Sequence, residues 1–132
     1  MINNDITEDK VGFEVSKLLR EKGFKNSNVE NFWLMYLDGR QVGEEFLDKS
    51  FDNSITPTLI HLKSPTHSLA IKWIRENFNY NVEVTYRNAD KNYQAISHPI
   101  FPNTEIGLCG HYKSPDEATE AALLYTLKNL IP

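Results

Sequence analysis

Val11, Val15, Leu18 and Leu19 recur at i, i+4, i+7 and i+8, which draws one apolar stripe along a helix predicted over about Glu8 to Lys22. Asp5 or Thr7 is placed to cap its start. Gly23 ends it, because glycine enters the left-handed conformation without a Cβ clash, and Phe24 follows where a Schellman turn sets its apolar contact. The run Phe32 to Leu37 is apolar without alternation and predicts a strand covered on both faces. Asp38-Gly39 closes it as a hairpin signal. A weakly patterned return strand is expected near Arg40 to Phe46, then an irregular loop from Asp48 to Pro57 and an extended Thr58 to Leu62.

The tripeptide Lys-Ser-Pro occurs twice, as Lys63-Ser64-Pro65 and Lys113-Ser114-Pro115. Each copy precedes helical apolar spacing. A serine hydroxyl accepts from an orphan N–H one turn in, and proline suits the first helical position because its missing N–H would be unpaired there. Asp116 and Glu117 add a capping-box pattern and carboxylates at the positive helix end. The first copy predicts a helix over about Pro65 to Phe78, with Leu69, Ala70, Trp73, Ile74 and Phe78 inward and Trp73 as its core anchor. The second predicts a helix over about Pro115 to Leu130, with Ala118, Ala121, Ala122, Tyr125 and Leu127 on its apolar side.

Between them, Val82, Val84 and Tyr86 alternate with polar residues, as a strand with one buried face does. Asn88-Ala89-Asp90 reads as a turn and Asn92 to Ser97 as the partner strand. His98 to Asn103 holds two prolines and reads as a loop, and Glu105 to Cys109 as a third strand. The fold class is therefore α+β, a mostly antiparallel sheet with helices packed on it. An α-β-β half over 1–56 and an α-β-β-β-α half over 57–132 are expected around a shared core.

A chain of 132 residues suits one domain. Its net charge of −4 argues against a general nucleic-acid binder. Positions 61–91 alone carry a basic excess, 5 against 3. An alternative reading as a nucleic-acid-contacting module would rest on Lys63, Lys72, Arg75, Arg87 and Lys91. With one cysteine no internal disulfide forms, which fits a reducing compartment. The first residues lack the pattern of a secretory signal, and no apolar stretch approaches the ~20 residues of a membrane span. A cytoplasmic setting without membrane contact is expected.

Catalytic patterns are sparse. Cys109-Gly110-His111 sets a thiol and an imidazole two residues apart, on one face of a regular strand, which supports a second alternative, a small-molecule binder or weak enzyme. His61, His67, His98 and His111 lack metal-ligand spacing. The adjacent carboxylates Asp116-Glu117 and Glu44-Glu45 read as a helix cap and a solvated turn. No phosphate-binding or nucleophile-elbow motif occurs. No cofactor and no metal are implied. The leading expectation is a non-catalytic protein-binding module, a possible homodimer, contacting its partner through Phe32, Trp33, Met35, Tyr36, Ile100 and Phe101.

The order helix, three strands, helix from Ser64 to Leu130, ending in Ser114-Pro115-Asp116-Glu117-Ala118 and Ala121-Ala122, resembles the double-stranded-RNA-binding domain. That family sets lysines at the start of its last helix to meet phosphates. Pro115, Asp116 and Glu117 stand here instead, and Arg87 to Lys91 lacks the family's first-turn motif, so RNA binding of that kind is not implied. A closer resemblance spans nearly the whole chain. It rests on Leu18-Leu19-Arg20-Glu21-Lys22-Gly23-Phe24, on Ser64-Pro65-Thr66 through Ala70-Ile71-Lys72-Trp73-Ile74-Arg75-Glu76, and on Tyr112-Lys113-Ser114-Pro115-Asp116-Glu117-Ala118 through Leu127-Lys128-Asn129-Leu130-Ile131. In these segments the chain resembles small uncharacterised proteins of Bacteroidetes phages and prophages. The resemblance implies a mobile-element origin and a host or phage protein as partner, and no reaction.

Overall fold

The computed structural model describes residues 9–26, 28–42, 59–100 and 107–132, with 107–109 by backbone alone. In chain order the elements are α1 (Phe13–Glu21), β1 (Phe32–Tyr36), β2 (Leu59–Lys63), α2 (His67–Phe78), β3 (Tyr80–Arg87), β4 (Asn92–Pro99), β5 (Gly107–Tyr112) and α3 (Pro115–Tyr125), which runs on into a π-helical turn, Thr126–Leu130. The class is α+β, with two antiparallel sheets: a β1–β2 ribbon and a three-stranded β3–β4–β5 sheet.

α1 starts later than its apolar stripe predicts. Gly12 is the N-cap and offers no side-chain cap. Residues 9–12 are drawn off as an extended strap, because α2's first turn offers them backbone partners: Val11 N–H donates to Pro65 O and His67 N–H to Asp9 O, each at 2.9 Å. The predicted caps Asp5 and Thr7 lie outside the described residues. The end is as expected. Gly23 sits at φ +98°, its N–H donates to Arg20 O and that of Phe24 to Leu19 O, and Phe24 is buried. These are the two hydrogen bonds of a Schellman motif.

The two Ser-Pro copies behave differently. Ser114 caps α3 as predicted, its Oγ accepting from Glu117 N–H at 3.2 Å with Pro115 in the first turn. Ser64 does not cap α2. It is buried, its hydroxyl donates to Val11 O at 2.7 Å, and the cap two residues on is Thr66, which accepts from Leu69 N–H at 3.2 Å. Tertiary pairing with the strap takes Ser64, and threonine serves nearly as well at an N-cap. α2 stops at Asn79 in the left-handed region (φ 63°), a role for which asparagine is the usual substitute for glycine.

β4 is the central strand of its sheet and runs through His98 and Pro99, which the sequence reading assigned to a loop. Among the described residues β5 pairs with β4 from Tyr93 to Ser97 and leaves Pro99, which has no N–H to give, facing Tyr80 of β3 alone. β5 runs past the expected end at Cys109 to Tyr112 and is bulged, while the expected start at Glu105 lies outside the described residues. Gln94 faces His111 and Ile96 faces Leu108, so Cys109 and Gly110 together oppose one residue. Gly110 supplies the positive φ (+98°) that such a bulge uses.

α3 is the hub. It packs on all three strands of the β3–β4–β5 sheet, on α2 and on α1, while α1 also packs on β2. Ala118 and Ala122 are fully buried one turn apart, and their small side chains let neighbours approach closely. One core joins Val11, Val15, Leu19, Phe24 and Val29 to Ala70, Ile74, Val82, Ala95, Leu123 and Leu127. Trp73 is half-buried at the rim of that core, edge-on to Phe24 and to Phe78 at 5.3 Å from each, rather than its central anchor. The fully buried large side chains include Leu19, Leu62, Ile74, Leu123 and Leu127.

Candidate functional site

β1 carries the longest apolar run among the described strands, and its pairing decides which side chains that run exposes. Phe32 faces Lys63, Leu34 faces His61 and Tyr36 faces Leu59. Successive strand residues point to opposite sides, so these six share one face. Trp33 and Met35 take the other with Leu62. That inner face is committed to the fold. Leu62 is fully buried and Met35 nearly so, and the Trp33 indole N–H donates to Val11 O at 3.1 Å.

The outer face is open. Phe32 is 48% exposed on it, beside the half-buried Leu34, Tyr36 and Leu59. Leu37, in the turn just past the strand, is 69% exposed. The Phe32 ring stacks on the His61 imidazole with centroids 4.5 Å apart. The strand therefore is not covered on both faces, as its unbroken apolar run predicts. It is inward-facing on one side and wet on the other, with apolar residues on both.

The turn after β1 is tied by several hydrogen bonds. Tyr36 N–H donates to Arg40 O and Gly39 N–H to Tyr36 O. The Arg40 guanidinium lies 5.1 Å from the Tyr36 ring centroid and 2.7 Å from Asp38. The Arg40 backbone N–H, then its guanidinium, hold the Asp38 carboxyl below its usual range. Lys17 of α1 braces the turn by donating to Gly39 O. The return of the chain is short: Gln41 bridges Met35 and Val42 N–H donates to Leu34 O. The rest of the expected return strand and the loop beyond it lie outside the described residues. The main partner of β1 is β2 instead.

Ile100 is 40% exposed but sits elsewhere, at the end of β4 with its N–H on Asn79 O. Phe101 lies outside the described residues. Of the basic residues, Lys63 reaches from β2 to Val29 O at 2.9 Å. Lys72 and Arg75 stand exposed on α2, and Lys91 at the β3–β4 turn. Arg87 lies 3.6 Å from Asp90 and 3.2 Å from His111 Nε2. These five residues thus stem from a ribbon strand, a helix and a hairpin end. The bulge in β5 also removes the premise that Cys109 and His111 share a strand face, since it resets the alternation between them. His111 meets Arg87; the Cys109 side chain lies outside the described residues.

A shallow cleft of about 220 Å³ opens where the strap meets the start of α2, lined by Lys10, Val29, Glu30, Asn31, Thr66 and Leu69 among others. It falls below the ~300–1,000 Å³ of sites that enclose a drug-sized ligand. Among the described residues, no group of three or more His, Cys, Asp or Glu side chains is arranged to hold a metal ion, and no helix is long and apolar enough to cross a membrane.

Sequence reasoning took the run Phe32 to Leu37 as a contact without telling its two sides apart, and missed Leu59 and His61 as members of the open face. An all-apolar run hides its own alternation, and only the register against β2 phases it. No family model, no curated protein and no solved structure matches this chain.

Proposed function

We propose that the chain is a protein-binding module that docks an apolar surface of its partner onto the outer face of the β1–β2 ribbon. The observation that carries this reading is the apolar outer face of the ribbon, with Phe32 exposed on it and Leu37 exposed in the hydrogen-bonded turn just past β1. Exposed large apolar side chains gathered on one surface mark contact sites more often than singly scattered ones do. Aromatic anchors on preorganised elements carry most of the energy of such contacts. The half-buried Leu34, Tyr36 and Leu59 would complete the contact centre, and Arg40 and Lys63 its polar rim. The resemblance to small phage and prophage proteins goes with this reading, and the partner is then a host or phage protein met in the cytoplasm, or a second copy of the chain.

The test compares the wild type with a Phe32→Ser/Leu37→Ser double variant. Both positions are solvent-exposed, so the variant keeps its melting temperature within a few degrees. Sedimentation at rising concentration reads self-association. Affinity capture from host cytoplasm, followed by a purified binding measurement on whatever the wild type alone retains, reads a foreign partner. Binding weakened about thirtyfold or more in the variant is the expected result, as for loss of one hot spot. A strictly monomeric wild type whose captured proteins are the same as the variant's overturns the reading.

A further inference from the structure

β3 is an edge strand without the usual guards. In the sheet order β3–β4–β5 it lies on the outside, and β4 is the one described strand that pairs with it. It runs for eight residues, Tyr80–Arg87, in unbroken register with β4. Proteins commonly protect such an edge with lysine, proline, a bulge or a very short strand. β5, at the opposite edge, is bulged. β3 has none of these devices.

Pro99 fixes which backbone groups face outward. Proline has no N–H, so the Tyr80–Pro99 pair is not a hydrogen-bonded one, and the neighbouring position bonds instead, with Ile100 N–H donating to Asn79 O at 2.8 Å. Hydrogen-bonded and non-hydrogen-bonded pairs alternate along an antiparallel ladder. The odd residues of β3 therefore bond to β4. The N–H and C=O groups of Tyr80, Val82, Val84 and Tyr86 point away from it, along the outer edge. Tyr86 is 51% exposed and Val84 half-buried, on the sheet face that carries Val82 into the core. Glu83, Thr85 and Arg87 stand exposed on the other face.

We propose that β3 pairs antiparallel with β3 of a second copy about a two-fold axis at Thr85, joining two three-stranded sheets into one of six. That centre alone sets Glu83 opposite Arg87 of the partner subunit, whereas an axis at Glu83 or at Arg87 sets like charges together. It also sets Val84 opposite the partner's Tyr86, bonded through groups that already point outward, and Thr85 opposite the partner's Thr85. Opposite charges, an aromatic with a β-branched residue, and threonine with threonine are the cross-strand pairs that stabilise antiparallel sheets. By symmetry the first two occur twice. Within one copy, Glu83 stands 3.6 Å from His98 and accepts from Asn81, and Arg87 stands 3.6 Å from Asp90 and 3.2 Å from His111 Nε2. Such contacts at a solvated surface contribute little and do not hold either charge back from a partner. The edge shares no residue with the β1–β2 face, so this pairing and the docking proposed there fail separately.

Disulfide cross-linking tests the register. Cysteines are placed one at a time in a Cys109→Ser background, which removes the chain's single native thiol. Facing residues of a non-hydrogen-bonded antiparallel pair stand about 4.5 Å apart at Cα, within disulfide reach. Thr85→Cys should therefore oxidise to a dimer at least about tenfold faster than Lys72→Cys, an exposed control on α2, because pairing raises the local thiol concentration. An equal mixture of Glu83→Cys and Arg87→Cys chains should join faster than either alone. Amide exchange on the wild type needs no variant: protection at Val84 and Tyr86 should rise with chain concentration while that at Leu123 stays constant. Equal oxidation rates at Thr85 and Lys72, or no gain from mixing, overturns the pairing. So does edge protection that is indifferent to chain concentration, including protection that comes only with a foreign protein present.

Discussion

At the residue scale, the buried polar side chains among the described residues include Ser16, Ser64, Ser97 and Thr126. Thr126 is fully buried, with Oγ1 2.7 Å from Ala122 O and 2.6 Å from Ser97 Oγ. Thr126 has one hydroxyl proton; giving it to the carbonyl leaves Ser97 to donate into Thr126, so both groups are satisfied. Breaking one partner leaves the other buried and unpaired, which costs ~1–3 kcal/mol, whereas replacing both with apolar groups is nearly neutral. Ser97→Ala and Thr126→Val are each expected to lower stability by about that much in urea denaturation, and the double variant by less than the sum. Strict additivity would show that the pair is not coupled. The sequence held no sign of this pair, because Ser97 and Thr126 meet only when α3 lies across β4.

At the element scale, boundaries set by local chemistry match the chain most closely, and those contested by tertiary pairing shift. Gly23 was legible because a left-handed residue followed by an apolar one is a local signature. No atom lies within 4 Å of where a Cβ at Gly23 would stand, so a substitution there meets no neighbour and costs only backbone conformation. Gly23→Ala should therefore cost about 1–2 kcal/mol, and Gly23→Asn clearly less, since asparagine tolerates the left-handed region. A thermal melt of both variants checks this, and equal losses would count against it. α1's start and α2's cap were not legible in the same way. Ser64 looks like a cap in sequence, but Val11 O competes for its hydroxyl. The π-helical turn at the end of α3, closed by Ile131 N–H on Thr126 O, comes where Thr126 takes up its buried hydrogen bonds, and apolar spacing carries no trace of it.

At the scale of the whole molecule, α3 ties the N-terminal helix to the C-terminal sheet through one shared core. Leu19 of α1 and Leu127 beyond α3 are both fully buried in it. Truncating a leucine so placed typically costs ~2–5 kcal/mol out of the ~5–15 a domain of this size holds. Leu19→Ala should lower the melting temperature of the entire molecule, in one calorimetric transition whose van 't Hoff and calorimetric enthalpies agree. Two resolved transitions, with the β3–β4–β5 sheet melting at its wild-type temperature, would show two independent cores. The open ribbon face and the seating of the strap belong to this scale too. Each draws on residues far apart in sequence: Phe32 with His61, and Gly12 with Glu120.

By itself the sequence determined the α+β class, the helix-strand-strand-strand-helix order of the C-terminal half, the Gly23 stop, the Ser114 start and a strand that begins at Phe32. These follow from periodicity and from hydrogen bonds spanning a few residues, which the local chain can satisfy alone. Tertiary structure alone decided that β1 pairs with Leu59–Lys63, that Ser64 latches the strap, that β5 bulges at Cys109 and Gly110, and which apolar residues of β1 face water. Those outcomes turn on register and on competition between distant partners for the same donor or acceptor, and neither is written in the spacing of residues along the chain.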